Sequence, residues 1–386
     1  MNDTIERVDA TSQAAYYDIV QEKYPTLPKT EQLPLFEPIV LSSATVCELT
    51  ELQQALGVAV RCLTEGYLDS AELQSLIPLP ANIIDLLGEI QDHPIENQLL
   101  RPDYIYTDEG EPRICEVNAR FVFNGMYITP ELAGQFQEYG QIPSGTVALS
   151  YLLDSRYRGI QATVVKGREP DYDMYYFKQC NDVTVISPDS LRPALTDECT
   201  DVVLELQHDE LEVCLGSVVA LMKQGVTVTN DPRTIFIGHD KRLLAALSDS
   251  DFLGRFVDAE VAAIVQKYVV PTWVDGWRGQ GQLESAFASP EKYVAKLAIS
   301  GKSQGYYDLQ HFDDTDFLNM GAMAGEVAIQ TKLPQGPVKC GDTLLEMAGT
   351  LPMTTEHPLG MGVARWYEHG NPHELAGVSA VLQESL

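Results

Sequence analysis

The chain has 386 residues, of which 26 are lysine or arginine and 56 are aspartate or glutamate, so its formal net charge at pH 7 is -30. A field of that sign repels the phosphates of nucleic acids and anionic membrane surfaces, so neither is expected as a partner. It favours cationic partners such as amines, although a surface that serves only solubility explains the same excess. No run of about 18 apolar residues occurs, so no membrane-spanning helix is expected.

The cysteines and the first residues both bear on the compartment. Seven cysteines are dispersed along the chain and none forms a C-x-x-C pair. This pattern favours free thiols in a reducing compartment over a disulfide framework or a zinc site. The polar start, MNDTIERVDATSQ, lacks the apolar segment of a signal peptide. We therefore expect a cytoplasmic protein.

The first hundred residues are expected to be mainly helical. Between Ser43 and Asp69, apolar residues recur at steps of three and four, which predicts an amphipathic helix. A shorter pattern of the same kind covers residues 83–90 and ends before Pro94. Residues 101–118 then alternate around a tight turn, which predicts a β-hairpin.

From about residue 145 to residue 235, short apolar strands alternate with helical segments. This alternation predicts a small α/β unit with a parallel sheet. Residues 236–270 are expected to be helical again, and two later strands are expected at Tyr293–Lys296 and Val327–Gln330.

The predicted hairpin carries polar residues at both of its ends. Arg101 and Asp103 lie on its first strand, and Glu116 and Asn118 lie on its second. Residues two apart on a strand project from one face, so these four side chains are expected to converge. Carboxylate and amide oxygens suit Mg²⁺, and a guanidinium group suits phosphate. A solvated hairpin with ordinary salt bridges is the alternative, but the apolar neighbours of Glu116 predict a half-buried strand where a carboxylate needs a partner.

A lysine before a glycine-containing loop forms the second candidate site. Lys296 ends a predicted strand, from which it could reach phosphates while loop N–H groups bind others. The loop glycines are too close together for a P-loop, and an exposed hairpin loop explains the same residues. The loop residues are Ser300, Gly301, Lys302, Ser303, Gln304 and Gly305.

Two further segments could contribute cations. A turn, a short strand and a helix are expected after residue 230, with Asp240 as the helix N-cap. Lys241 in the first turn opposes the helix dipole unless an anion binds there. Near the C-terminus, Gly360-Met-Gly-Val-Ala-Arg365 predicts either a mobile loop that delivers a cation to developing negative charge or a tight turn before an edge strand.

In chain order these segments resemble the circularly permuted ATP-grasp ligases, namely glutathionylspermidine synthase and eukaryotic-type glutathione synthetase. The resemblance spans about residues 100 to 380 and lies in Arg101-Pro-Asp103, Glu116-Val-Asn118, Asp231-Pro232 with Asp240-Lys241, Lys296 to Gly305, Ile329-Gln330 and Gly360 to Arg365. It implies an α+β ATP-grasp fold with an inserted small α/β domain. The implied units are a helical region with the metal-binding hairpin at 1–144, the substrate-side domain at 145–235 and the nucleotide-binding region at 236–386.

The resemblance also implies cofactors and a role for each residue. ATP and Mg²⁺ would be bound, with Asp103, Glu116 and Asn118 as metal ligands, Arg101 and Arg365 as catalytic residues, Lys241, Lys296 and the loop Ser300 to Gly305 at the nucleotide phosphates, and Gln330 at the adenine. The implied reaction joins a carboxylate of an amino acid or short peptide to an amine through an acyl phosphate.

Small-molecule carboxylate and amine substrates are therefore the expected partners, with a homodimer as a further expectation. The loop lacks the glutamate that the ligases carry a few residues after the lysine. That difference keeps a non-catalytic nucleotide-binding protein open as an alternative. A small-molecule kinase that stops at phosphoryl transfer is a third alternative.

Overall fold

A computed structural model describes residues 4–23, 33–96, 98–121, 123, 125–168, 173–192, 201–279, 281–299 and 305–385. Helices and strands are interspersed along these ranges, so the coarse prediction of a mixed helix-and-strand fold is confirmed. The division of the chain into three units stays a prediction.

The helices in the described ranges vary from four to 23 residues. They are α1 Ala10–Lys23, α2 Ser43–Glu65, α3 Ala71–Leu76, α4 Ala81–Gly88, α5 Ile128–Gln135, α6 Ser144–Arg156, α7 Asp173–Cys180, α8 His208–Lys223, α9 Leu243–Ser248, α10 Ser250–Leu253, α11 Ala259–Tyr268, α12 Gln282–Ala288 and α13 Asp314–Ala322.

The strands form three larger sheets and one short pair. They are β1 Ile39–Leu41, β2 Leu99–Tyr106, β3 Pro112–Asn118, β4 Gln161–Lys166, β5 Asp182–Ile186, β6 Asp201–Glu205, β7 Thr227–Thr229, β8 Thr272–Trp273, β9 Tyr293–Leu297, β10 Tyr306–Asp308, β11 Val327–Thr331, β12 Val338–Cys340, β13 Thr343–Thr350, β14 Met353–Thr354, β15 Ala364–Glu368, β16 Asn371–Ser379 and β17 Val381–Gln383.

Helix α2 shows how the sequence pattern produces the core. Its N-cap residue Ser42 accepts the Thr45 N–H at 3.1 Å, which satisfies one of the unpaired donors of the first turn. The apolar stripe recognised in the sequence is buried along its whole length, and the helix ends at Glu65. Helix α2 therefore anchors the largest hydrophobic cluster, against which the hairpin β2–β3 packs.

The predicted hairpin is confirmed as β2 and β3, and it belongs to a seven-stranded antiparallel sheet. The order in this sheet is β14-β2-β13-β15-β16, with β3 on β2 and β12 on β13. Strands from the C-terminal quarter thus lie beside the hairpin, which brings Arg365 of β15 close to residues of β2.

The other two large sheets frame the same region. Strands β10-β9-β11-β8 form an antiparallel sheet, and the predicted strands around Lys296 and Gln330 are its β9 and β11. Strands β5-β4-β6-β7 are all parallel and alternate with helices, as the sequence between residues 145 and 235 predicts. Short parallel strands of this kind need helices on their faces, and α8 supplies one of them.

One predicted segment differs from the structure. The residues expected as a short strand form a π-helical turn, Thr234–Gly238, and α9 begins only at Leu243. Asp240 is therefore not the N-cap of that helix. Its carboxylate accepts the Arg242 N–H at 2.8 Å and forms an ion pair with the Arg242 guanidinium group at 2.7 Å. This buried ion pair stabilises the segment more than an N-cap hydrogen bond would.

Candidate functional site

The hairpin places its polar residues opposite one another. Arg101 lies across from Asn118, and Asp103 lies across from Glu116. The Arg101 guanidinium group binds Asp103 with two bonds, Nε to Oδ1 at 3.0 Å and Nη2 to Oδ2 at 3.2 Å. The side chains that the two-residue spacing predicts on one face therefore do meet.

A second arginine reaches the same carboxylate from β15. Arg365 donates from Nη2 to Oδ2 of Asp103 at 2.5 Å, although β13 lies between their strands. Its register partner on β13 is Ala348, whose methyl group leaves room for a side chain to cross. Asp103 thus holds two guanidinium groups in place.

A β-bulge at Cys115 joins the two antiparallel sheets. The register of β2 and β3 shifts after Asp103, which leaves Cys115 as an extra residue on β3. Its carbonyl oxygen accepts Lys296 Nζ at 2.9 Å and Gln330 Nε2 at 3.3 Å. Gln330 also donates to Thr272 Oγ1 at 3.0 Å, so its amide positions the bulge. The predicted place of Gln330 at an adenine stays a prediction.

Lys241 enters from the segment after the π-helical turn. Its backbone N–H donates to the Ala298 carbonyl at 2.9 Å, which ties the segment to the end of β9. Its Nζ lies 3.3 Å from Oε1 of Glu116. Lys241 is therefore beside the hairpin, although it lies before α9 and not in a helical first turn.

The described side chains of this cluster are four cations, Arg101, Lys241, Lys296 and Arg365, and two carboxylates, Asp103 and Glu116. We call these six residues the cation cluster. Burying charge without a counter-charge costs several kcal/mol, so a surplus of buried cations favours an anionic ligand. The whole chain has a net charge of -30, so this excess of positive charge is confined to the cluster.

Lys296 shows the surplus most clearly. Lys296 is 8% exposed. Within the described ranges, its Nζ donates a hydrogen bond only to the Cys115 carbonyl and has no carboxylate within 4.0 Å. Nearby, the described part of the chain offers no hydrogen-bond partner to Arg365 Nε or Asn118 Nδ2, although both atoms are buried. Donors of this kind are satisfied when a ligand supplies acceptors.

The charges around the bulge fix two protonation states. Burial acts to raise the pKa of Asp103, but the Arg101 and Arg365 guanidinium groups outweigh it and hold that pKa below its ordinary value. Burial raises the pKa of the Cys115 thiol. Asp103 is thus an anion at pH 7, and Cys115 is a neutral thiol rather than a nucleophile.

The arrangement fits a metal ion only in part. Both Asp103 oxygens are held by arginines and Glu116 lies against Lys241. Among the described residues, no group of three or more histidine, cysteine, aspartate or glutamate side chains could hold a metal ion. Asp103 is placed as an anchor for the arginines rather than as a free metal ligand. Glu116 and Asn118 can contribute oxygens to Mg²⁺ when phosphate groups complete the coordination.

Of the glycine-containing loop that was predicted to bind phosphate, Ser300 to Gly305, only the last residue lies in the described ranges. Ser300, Gly301, Lys302, Ser303 and Gln304 lie outside the described residues. Gly305 is described: its φ is +71°, and its carbonyl accepts the Leu297 N–H at 2.8 Å at the start of β10. It closes the β9–β10 connection.

The segment from Gly360 to Arg365 is not a mobile loop, and that interpretation was wrong. Residues 359–364 are all buried. The Gly360 carbonyl accepts Gln53 Nε2 at 2.8 Å, and Thr146 Oγ1 donates to the Met361 carbonyl at 3.2 Å. The alternative, a tight turn before an edge strand, is wrong as well, because residues 359–363 form no turn and lead into β15, which lies between β13 and β16.

Comparison with known proteins gives one family. The sequence model of a family described as the AnkG N-terminal domain matches residues 52–237, just under half of the chain. The match includes the hairpin and the whole parallel sheet and ends before Lys241, so the chain is similar to that domain over this range. No curated protein matched the chain.

The match overturns the resemblance to glutathionylspermidine synthase and glutathione synthetase, because the family found is not an ATP-grasp ligase family. The predicted carboxylate–amine ligase activity, with its acyl phosphate and amide product, is wrong with it. The motifs misled because most of them are only two or three residues long, and polar pairs on β-hairpins arise in unrelated proteins. That the chain is an enzyme, that it is cytoplasmic and that it forms a homodimer stay predictions.

No helix in the described ranges is long and apolar enough to cross a bilayer, as expected from the sequence.

Proposed function

We propose that the cation cluster binds the phosphate groups of a small molecule. The observation that carries the proposal is Lys296, a buried ammonium group whose only described hydrogen-bond partner is a carbonyl. Phosphate suits the cluster because the Asp103 carboxylate orients Arg365, whose buried Nε has no hydrogen-bond partner among the described residues, and a guanidinium group matches phosphate oxygens.

ATP with Mg²⁺ is the ligand we propose to test first. Lys241 and Lys296 would contact phosphate oxygens, and Arg101 and Arg365 would bind the outer phosphate. Mg²⁺ would shield phosphate charge, with Glu116 and Asn118 as its protein ligands.

Calorimetric titration of the protein with ATP in the presence of Mg²⁺ tests the proposal. We expect saturable binding that the Lys296→Met variant weakens about ten- to hundredfold, because a buried hydrogen bond to a charged group contributes about 1.5–3 kcal/mol. Lys223→Met is the matched control, since Lys223 is half exposed and pairs with Glu89 on the surface. Equal affinity in both variants, or no binding in the wild type, would refute the proposal.

The role of Glu116 predicts a different result. In Glu116→Gln, we expect ATP without Mg²⁺ to bind at least as tightly as in the wild type, because one carboxylate near the phosphates is neutralised. The gain in affinity that Mg²⁺ gives the wild type should shrink in the variant. Titrations with and without Mg²⁺ measure both effects. An unchanged Mg²⁺ dependence would remove Glu116 from the metal-binding role and leave phosphate binding unaffected.

A further inference from the structure

Two histidines face each other in the interior next to the cation cluster. His208 is 6% exposed and is the first residue of α8, directly after the connection from β6. His239 is 2% exposed and follows the π-helical turn, a rare element that occurs often at functional sites. The centroids of the two rings are 5.9 Å apart.

Three of the four ring nitrogens lack a hydrogen-bond partner within the described part of the chain. Neither Nδ1 nor Nε2 of His208 has one, and Nε2 of His239 has none. His239 Nδ1 accepts the Ala119 backbone N–H at 3.4 Å, so its Nε2 carries the proton of the neutral ring. The pair therefore presents buried donors for which folding supplies no acceptor, an uncommon arrangement in a native interior.

Charged groups of both signs act on the pair: Arg120 and Lys241 affect both rings, and the Asp240 carboxylate affects His208. Arg120 is 5% exposed, and its guanidinium carbon lies 5.0 Å from the centroid of the Phe121 ring. Phe121 itself has a φ of +57°, a conformation that is strained for a bulky residue and is found mainly where function requires it.

The position in the fold is also one where ligands bind. Strand β4 comes first in the parallel sheet, β5 lies on one side of it and β6 on the other, so the strand order reverses between β4 and β6. Ligands of open parallel sheets bind outside the carboxyl ends of the strands at this point. Lys166 ends β4, and β6 ends three residues before His208.

Both histidines are neutral at pH 7. Burial lowers the pKa of His208 to about 4, with Arg120, Lys241 and Arg242 adding to the effect and Asp240 opposing it. Burial, Arg120 and Lys241 lower the pKa of His239 in the same way. The rings therefore offer neutral N–H donors, with Arg120 and Lys241 acting on both and the Asp240 carboxylate acting on His208. Since no third metal-binding side chain joins them among the described residues, an anion fits better than a metal ion.

We propose that the carboxylate of a small molecule binds between His208 and His239, as a second ligand beside the cation cluster. One oxygen accepts the His239 Nε2–H, and the other accepts an N–H from His208. The remaining His208 nitrogen is a hydrogen-bond acceptor. This site is independent of what the cation cluster binds.

Nitrogen NMR of the histidine rings in the full-length protein tests the proposal with acetate as the probe. Acetamide is the matched control, because it has the same shape without the charge. At equal concentration and ionic strength, we expect acetate to shift the His239 Nε2 and His208 resonances saturably and acetamide to leave them unchanged. Equal responses to both probes, or none to either, would overturn the proposal and leave bound water as the partner of these nitrogens.

Variants give the second arm of the test. We expect His208→Phe to weaken acetate binding about tenfold, read from the remaining His239 resonance. His311→Phe is the control, because His311 has a side chain that is 75% exposed. Binding of acetate that His208→Phe leaves intact would also contradict the proposal. ATP binding by the His208→Phe variant should equal that of the wild type, which separates this site from the cation cluster.

Discussion

The Asp103→Asn variant is expected to lose about 3–5 kcal/mol of unfolding free energy at pH 7, because removing one partner of a buried ion pair leaves uncompensated charge. Asp103 is 6% exposed and accepts from two arginines, Arg101 and Arg365. Asparagine keeps the shape but not the charge. Urea denaturation followed by tryptophan fluorescence measures the difference.

The surface offers a matched control for this prediction. Arg168 also binds Asp209 with two bonds, from Nη1 at 2.8 Å and from Nη2 at 3.0 Å, but their side chains are 57% and 65% exposed. Asp209→Asn should change the unfolding free energy by about 0–1 kcal/mol. Similar losses in both variants would contradict the role of Asp103 as the counter-ion of two buried arginines.

The same variant predicts a pH dependence. The pKa of Asp103 is lower in the folded protein than its ordinary value of 3.8, so its stabilising contribution is complete above that value and is lost as the pH falls through the folded pKa. The difference in unfolding free energy between wild type and Asp103→Asn should therefore be constant near neutrality and shrink below pH 3.8. If the difference between the two proteins already disappeared above pH 3.8, the pKa of Asp103 would be raised in the folded protein and not lowered.

Gly360→Ala is expected to destabilise the protein severely, by more than about 4 kcal/mol, which is an exceptional loss for a point mutation. Gly360 has a φ of +86°, and a Cβ added there would lie 2.2 Å from the Thr146 backbone nitrogen and 2.5 Å from the Gly145 carbonyl carbon. Neither backbone atom can rotate away as a flexible side chain could. Thermal unfolding measures the loss.

Gly370 is the control that separates the cost of a positive φ from the cost of the steric clash. Its φ is +77°, but a Cβ added there meets nothing within 4 Å. Gly370→Ala should cost only the left-handed penalty of about 1–2 kcal/mol. If both variants lost the same amount, the close packing of Gly360 against α6 would not be a major source of stability.

The sequence predicts secondary structure best where the spacing of apolar residues determines it. The stripe of α2, the β2–β3 hairpin and the parallel strands of residues 161–229 follow from apolar spacing, because burial of one face enforces it. The meeting of Arg101 with Asp103 follows in the same way from the two-residue period of a strand.

The rest of the site depends on contacts between distant segments. No local pattern indicates that Arg365 crosses Ala348 to reach Asp103, or that a bulge turns the Cys115 carbonyl toward Lys296. The histidine pair was missed because His208 and His239 lie 31 positions apart and neither belongs to a motif. A histidine directly after the apolar segment Ile235 to Gly238 was the available signal.

The buried ion pair between Asp240 and Arg242 explains why the predicted helix start at Asp240 was wrong. Sequence reasoning assigned Asp240 to a helix N-cap, which is the common role of an aspartate before leucines. The guanidinium group two residues later binds the same carboxylate inside the protein, with Asp240 2% exposed. A local preference of about 1 kcal/mol does not compete with a buried ion pair that must stay intact.

The most direct test of phosphate recognition uses a ligand that contains only phosphate. Inorganic tripolyphosphate should give saturable heat when titrated into the wild-type protein and should displace ATP. Its binding should weaken at least tenfold in Lys296→Met and remain unchanged in Lys223→Met. If tripolyphosphate gave no heat, or bound all three proteins equally, the buried ammonium of Lys296 would not be part of a phosphate site.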